Sequence, residues 1–240
     1  SGSNAEGIIG VVACDKPPVG TVAAIAEHNK PAVIMSDGSI SPFIDPETGE
    51  RLDIVSGFQV AGDPDVQKRN WIAFNACPGY GSCGGMFTYN TMQSFIAVLG
   101  MEPMHMVSPA SEDPRRLTEF PEQLIDCLQV MTERNIKPRD IITPASLKNA
   151  MTVAIALGGS TNVVLHGPEI ARAAGYDFWK DVMSLDEFNQ LSRRVPVLTN
   201  ARPYGAYSMV DIDEKGGLQA ENNYVKNNLT DVLAGFLFAR

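Results

Sequence analysis

Apolar residues open the chain in a short unbroken run, Gly7-Ile8-Ile9-Gly10-Val11-Val12-Ala13, and a second run follows at Pro31-Ala32-Val33-Ile34-Met35-Ser36. Continuous apolar runs of this length predict strands buried on both faces, as in parallel sheets. Between them, Thr21 to His28 has a helical pattern. Strand, helix and strand in so short a stretch make a βαβ unit, so the fold class is α/β, a parallel sheet flanked by helices. Chemistry in such folds collects at the carboxyl ends of the strands. Cys14-Asp15-Lys16 falls at the end of the first.

Further along, Asp37 to Asp63 is rich in Gly, Pro and Asp and reads as an excursion or lid. Trp71 to Ala76 reads as a short strand leading into the loop at Cys77, and Gly84 to Leu99 as a helix capped by Gly100. Leu117 to Asn135 is a second amphipathic helix, ended by Lys137-Pro138. Ser146 to Leu157 runs into a Gly158-Gly159 stop, after which Ser160 is the expected N-cap of a helix from Thr161 to Ala174, closed by Gly175. Ser184-Leu185-Asp186-Glu187 has the capping-box pattern of another helix start. Pro196-Val197-Leu198 reads as a strand. Past Gly216-Gly217 the pattern weakens: Asn222 to Asn228 is polar, and a helical tail to Arg240 has no clear partner. No internal repeat or low-complexity tract is present.

Composition narrows the class. The 240 residues are 44% hydrophobic and 20% charged, an ordinary globular balance with ample material for a core. A net charge of −9 with no Lys/Arg-rich run argues against nucleic acid as a partner. No apolar stretch approaches the roughly 20 residues that span a bilayer, so no membrane is expected. Four cysteines, Cys14, Cys77, Cys83 and Cys127, do not make a secreted disulfide scaffold, and no signal peptide precedes them; a reducing cytoplasm is the expectation. Ser1 to Ala5 resembles the remnant of a cleaved expression tag, with a strand starting almost at once. The expected division is therefore residues 1–5 as remnant and 6–240 as one domain cut from a longer protein.

Two cysteine segments carry the chemistry. Cys14 offers a soft donor suited to iron–sulfur, and Asp15 beside it a hard one suited to Mg²⁺. A lysine such as Lys16 becomes an oxygen ligand only when carbamylated, which requires the neutral amine. The alternative for Cys14 is a structural cysteine at a strand end. In Cys77-Pro78-Gly79-Tyr80-Gly81-Ser82-Cys83-Gly84-Gly85-Met86, two glycines and a proline in the Cys77–Cys83 stretch let the backbone turn tightly around something close. Cys83 is expected at a helix start, where the macrodipole would favour thiolate. A phosphate-holding helix start is the competing reading, but the lysine and hydroxyl of a P-loop are missing. Cys127 reads as an inert core residue, His166 as a satisfied histidine, and the ten methionines as core filler. Gly158 to Asn162 reads equally well as backbone donors lining a site or as a helix stop followed by a cap.

Cys14-Asp15-Lys16, the block Gly81 to Met92 and the block Ala156 to His166 are together similar to three ordered motifs of the dihydroxy-acid dehydratase / 6-phosphogluconate dehydratase family, which includes the sugar-acid (aldonate) dehydratases. The resemblance covers about Gly7 to Gly217. It implies the N-terminal α/β domain of such an enzyme, without the family's C-terminal β-barrel. It implies an iron–sulfur cluster on three cysteines, 2Fe–2S more often than 4Fe–4S, with Cys14 and Cys83 matching two of them and no residue here matching the third. Asp15 and Lys16 match the Mg²⁺ site, the lysine carbamylated; a further acidic ligand and the serine proposed as general base have no counterpart. Cys77 is not assigned to the cluster.

The implied reaction removes water from a 2,3-dihydroxy carboxylic acid to give a 2-keto acid. Iron acts as Lewis acid on the C3 hydroxyl, and Mg²⁺ holds the carboxylate and C2 hydroxyl. The branched-chain biosynthetic substrate is the first expectation. Pro17-Pro18-Val19-Gly20 departs from the pattern of those enzymes, which keeps a sugar-acid or 6-phosphogluconate dehydratase as the alternative. A non-catalytic folded fragment is the reading from another class. The resemblance implies a homodimer for the whole enzyme and self-association of the isolated chain.

Overall fold

The computed structural model describes residues 5–218. The polar stretch and helical tail after Gln219 and most of the expected tag remnant lie outside the described residues. Strand β1 (Ile8–Val12), helix α1 (Pro17–His28) and strand β2 (Ala32–Ser36) form the expected βαβ unit. β1 and β2 pair in parallel from Ile8 opposite Ala32 to Val12 opposite Ser36. β2 is buried along its whole length. β1 is not buried on both faces as its composition suggested: Ile9 and Val11 are exposed. Among the described residues β2 is its sole partner strand, and only the face carrying Gly10 and Val12 is covered, by α1.

The Asp37–Asp63 excursion contains a two-residue antiparallel pair, β3 (Phe43–Ile44) with β4 (Arg51–Leu52), and helix α2 (Ile54–Gln59). Asp53 caps α2 by accepting from the backbone N–H groups of Val55 and Ser56. Helix α3 (Val66–Asn75) replaces the strand expected at Trp71 to Ala76. The aromatic-rich Trp71-Ile72-Ala73-Phe74 suggested a strand, but Asp65 accepts from the N–H groups of Gln67 and Lys68 and nucleates a helix upstream of it.

Helices α4 (Thr88–Leu99), α5 (Glu119–Glu133), a short α6 (Pro138–Ile141), α7 (Pro144–Ala156), α8 (Val163–Ala174), α9 (Leu185–Arg194) and α10 (Met209–Asp213) are the further α-helices among the described residues. Gly100 and Gly175 end α4 and α8 in left-handed conformations, as read. Pro138 starts α6 rather than only stopping α5. The residue at the N-cap of α8 is Asn162, not Ser160, although the Ser160 hydroxyl accepts the Asn162 N–H at 3.3 Å. Pro196 to Leu198 is no strand; the Leu198 N–H is tied to the Ala156 carbonyl at 2.7 Å.

The main core lies where α4 packs on α7 and α1 on α8, with β2 at its edge. Ile34, Phe95, Ile96, Leu147, Met151 and Ile170 are fully buried there. Each contributes about 1.5–3 kcal/mol on leaving water. This packing fixes the carboxyl end of β1 and the N-terminal ends of α1 and α4 against one another, and the two cysteine segments lie between them.

Candidate functional site

Cys14 follows directly on β1 and takes a left-handed backbone, φ 62°. For a residue with a Cβ this conformation costs about 1 kcal/mol, so the surroundings must hold it. Lys16 is the N-cap of α1, and Pro17 and Pro18 supply its preset first turn. Cys14-Asp15-Lys16 thus stands before the positive end of a twelve-residue helix. The Cys14 N–H donates to Ser82 Oγ at 2.8 Å, and the Ser82 hydroxyl donates onward to Asp37 at 2.9 and 3.0 Å from its two carboxylate oxygens.

That serine immediately precedes Cys83. Ser82 also donates its N–H to the Gly38 carbonyl at 2.9 Å and accepts the Ile40 N–H at 2.7 Å, a strand-like splice between the segment after β2 and the second cysteine segment. Buried Asn90 secures the turn that follows, donating to the carbonyls of Cys83 at 2.6 Å and Gly85 at 2.7 Å, while Ser39 Oγ donates to its Oδ1 at 3.1 Å. Gly84 has to lack a side chain, because a Cβ there would lie 2.8 Å from the Ile40 carbonyl oxygen.

Cys83 does not sit at the start of a helix. α4 begins at Thr88, so the turn through Gly84 and Gly85 separates the thiol from that helix end. The thiol is pushed up rather than down, first by burial and then by the nearby Cys14 and Asp15.

Cys14, Asp15 and Cys83 line one cavity of about 420 Å³, whose apolar wall is Ile54, Phe58 and Phe87. The structure therefore brings the Cys83 thiol, distant in sequence, to the adjacent Cys14 thiol and Asp15 carboxylate. Cys14 Sγ donates to Asp15 Oδ1 at 3.5 Å, and Lys16 Nζ lies 3.3 Å from Asp15 Oδ2. Burial works against the Asp15 anion, but the hydrogen bonds from Lys16 and Cys14 outweigh it and hold the carboxyl below its ordinary range. The Lys16 side chain is 80% exposed. Cys77 lines a second cavity of about 210 Å³ behind Cys83, with Asp53 and Arg202. Burial, helped by Asp53 and Cys83, raises its thiol. Cys83 lines this second cavity as well.

His166, on α8, comes within electrostatic reach of both Asp15 and Lys16, and burial lowers its affinity for a proton. The Gly158 to Asn162 junction resolves toward structure. The N–H groups of Gly158, Gly159, Ser160 and Asn162 are spent on Ile155, Ala154, Thr91 and Ser160 respectively. The junction clips α8 to α4, with Ser160 Oγ and Asn162 Nδ2 both on the Thr88 hydroxyl at 3.0 and 2.9 Å. Cys127 is exposed on α5, not in the core: α5 buries only Phe120 and Leu124, and Cys127 falls on its open face. Sequence reasoning missed Asp37, Ser82, Tyr89 and Asn90 as the polar frame of the site. The available signal was the cluster of polar residues, Asn90, Thr91, Gln93 and Ser94, in the first half of a helix that is buried along most of its length.

Two thiols and one carboxylate are a chemically suitable but partial donor set. Among the described residues no three His, Cys, Asp or Glu side chains close around a single metal position. The residues present thus suit a soft cluster as two of its ligands, and a hard cation as one.

A family model described as dihydroxy-acid/6-phosphogluconate dehydratase N-terminal matches residues 1–234. The chloroplastic dihydroxy-acid dehydratase of Arabidopsis thaliana is 40% identical over 230 residues, covering 92% of this chain and 36% of the relative. The dihydroxy-acid dehydratase of Methylococcus capsulatus is 39% identical over 225 residues, covering 89% and 38%. The mitochondrial dihydroxy-acid dehydratase of Aspergillus terreus is 38% identical over 224 residues, covering 91% and 36%. The chain thus spans a little over a third of the length of these relatives.

Proposed function

Because the chain belongs to the dihydroxy-acid/6-phosphogluconate dehydratase family, in its N-terminal part, we propose that it forms part of a hydro-lyase that converts a 2,3-dihydroxy carboxylic acid to a 2-keto acid. The observation that carries this is the convergence of Cys14, Asp15 and Cys83 on one cavity. In this reading Cys14 and Cys83 are thiolate ligands of an iron–sulfur cluster, 2Fe–2S in preference to 4Fe–4S, and Asp15 with carbamylated Lys16 holds Mg²⁺. When bound, these groups supply Lewis acidity toward a departing hydroxyl and toward the substrate carboxylate.

The chain's own residues prepare that chemistry. The Ser82 hydroxyl and the turn before α1 keep Cys14 in its left-handed conformation. Asp15, held ionised by Lys16 and Cys14, presents a hard oxygen beside the two soft sulfurs. Carbamylation would make Lys16 a second anion next to Asp15, so the carbamate should persist only where a cation lies between the two. Ile54, Phe58 and Phe87 give the cavity an apolar wall. The base that takes the C2 proton is not assigned to any described residue.

Relatives named dihydroxy-acid dehydratase support the branched-chain precursor as substrate, with sugar acids or 6-phosphogluconate as the alternative. The reading includes a homodimer and no membrane or nucleic-acid partner. Among the described residues no helix is long and apolar enough to cross a membrane. The four free cysteines support a reducing compartment, the cytoplasm in this reading. The test is anaerobic iron and sulfide analysis with visible absorption, on this chain and on the whole gene product that carries it. A cluster in the gene product that Cys14→Ser and Cys83→Ser each abolish is the expected result. A gene product without iron or sulfide, with all four thiols free, would remove the basis of the mechanism.

A further inference from the structure

The splice between the two cysteine segments contains a carboxylate that the reaction does not use. Asp37 lies just after β2 and accepts the Ser82 hydroxyl through both its oxygens. It also lies within electrostatic reach of the Tyr89 hydroxyl, on a side chain only 1% exposed. Each of these hydroxyls in turn accepts a backbone N–H: Ser82 Oγ from Cys14 at 2.8 Å, and Tyr89 Oη from Gly38 at 2.9 Å.

The direction of the bonds at the Ser82 hydroxyl is fixed. The Ser82 hydroxyl has one proton and gives it to Asp37, so its lone pairs face the Cys14 N–H. Asp37 thereby orients the acceptor that holds Cys14 in a conformation it would otherwise leave. The same serine is covalently next to Cys83, and its backbone is pinned to Gly38 and Ile40 on either side. The buried Arg116 guanidinium lies within electrostatic reach of Asp37, behind it, donating to the carbonyls of Ser36, Met106, Pro109 and Ala110. Ser82, its hydroxyl oriented by this one carboxylate, thus links the backbone at Cys14 to the residue beside Cys83.

We propose that Asp37, acting through Ser82 and backed by Tyr89, is a positioning residue that sets the relative placement of the Cys14 and Cys83 thiols. The proposal rests on the reading of those thiols as ligands of one soft metal site. It predicts that the two sulfurs can be drawn apart without touching either cysteine.

Cd²⁺ is a suitable probe for the intact chain, because a thiolate–cadmium charge-transfer band reports metal held by sulfur. The wild-type chain is expected to bind Cd²⁺ through Cys14 and Cys83, with the band lost in Cys14→Ser and kept in Cys127→Ser. Ser82→Ala should weaken Cd²⁺ binding about tenfold, the size of one hydrogen bond to a charged group, and Ser82→Thr should restore it. Asp37→Asn, which keeps the shape but loses the charge that fixes the hydroxyl, should fall between. If Ser82→Ala does not fold by circular dichroism, Asp37→Asn decides. Folded variants of both kinds with wild-type Cd²⁺ affinity would overturn the proposal, as would a wild-type chain that does not hold Cd²⁺ on these two thiols. Absence of iron and sulfide from the whole gene product, with the cadmium results as expected, would instead count against the dehydratase reading alone.

Discussion

Glu102 illustrates what single residues determine in this chain. It is fully buried beside Ser36, whose N–H it accepts at 2.7 Å, and its second oxygen has no hydrogen-bond partner. Burial first, with help from Asp37, raises its pKa to about 7, against the pull of the Ser36 N–H and of Arg116. The folded chain therefore keeps a proton that the unfolded chain releases above pH ~4.5. This contribution to stability is present in full below pH ~4.5 and is lost as pH rises toward 7, at a total on the order of 1–3 kcal/mol. Glu102→Gln should remove that slope and be the more stable protein at pH 8, as thermal melts across pH would show; parallel melting curves for the two proteins would refute the assignment. Asn90 gives a second expectation. Truncation to Ala leaves the buried carbonyls of Cys83 and Gly85 without their donor, costing about 1–3 kcal/mol in denaturant titrations, and should speed alkylation of Cys83. The residues proposed as ligands, Cys14, Asp15, Lys16 and Cys83, could be picked out in the sequence because thiols and charges at a strand end or among glycines are conspicuous. Asp37 and Ser82 could not, because their role exists only where three distant segments meet.

Elements were legible where their ends carried a local signal. The capping box at Ser184 places the start of α9 correctly, with Ser184 Oγ accepting the Glu187 N–H and Glu187 accepting the Ser184 N–H. Ser184→Ala should accordingly lower stability by about 1 kcal/mol, and an unchanged melting temperature would mean that α9 is held by packing alone. α3 was misread because its residues favour strand, although Asp65, the cap that decides the matter, stood in plain sequence. Cys83 was placed on a helix for the opposite reason. The apolar periodicity of α4 was extended backward through two glycines that the structure uses as a turn, and Gly84 is pressed against the Ile40 carbonyl there. The junction after α7 makes the same point. Gly159 is required by contact with α4, since a Cβ there would come within 2.8 Å of the Thr91 methyl, whereas Gly158 is required by its left-handed backbone, φ 63°. Gly159→Ala should loosen α8 from α4, measurable as faster amide exchange at Val163 and Val164; unaltered protection would show that Thr91 can yield.

At the scale of the whole molecule, the α/β class followed from two apolar runs and the helix between them. How far each strand is covered did not, because composition cannot say which neighbour lies on which face. Several large apolar side chains stand in water around the site: Phe58 at 69%, Phe74 at 85% and Tyr80 at 67% exposure. Surfaces of this kind favour contact with another protein surface over solvent. The chain is expected to self-associate, with scattering intensity rising faster than concentration, and Phe74→Glu should reduce the effect. A monodisperse monomer at high concentration for the unmodified chain would contradict this.

The left-handed backbone at Cys14 sets thermal robustness against chemistry at one position. Glycine would adopt φ 62° freely and could still donate its N–H to Ser82, so Cys14→Gly should relieve the strain while deleting the sulfur. Evolution in the laboratory under heat alone should therefore drift to glycine at this position. Where cysteine persists in a thermostable lineage, selection for the thiol must have acted alongside selection for the fold.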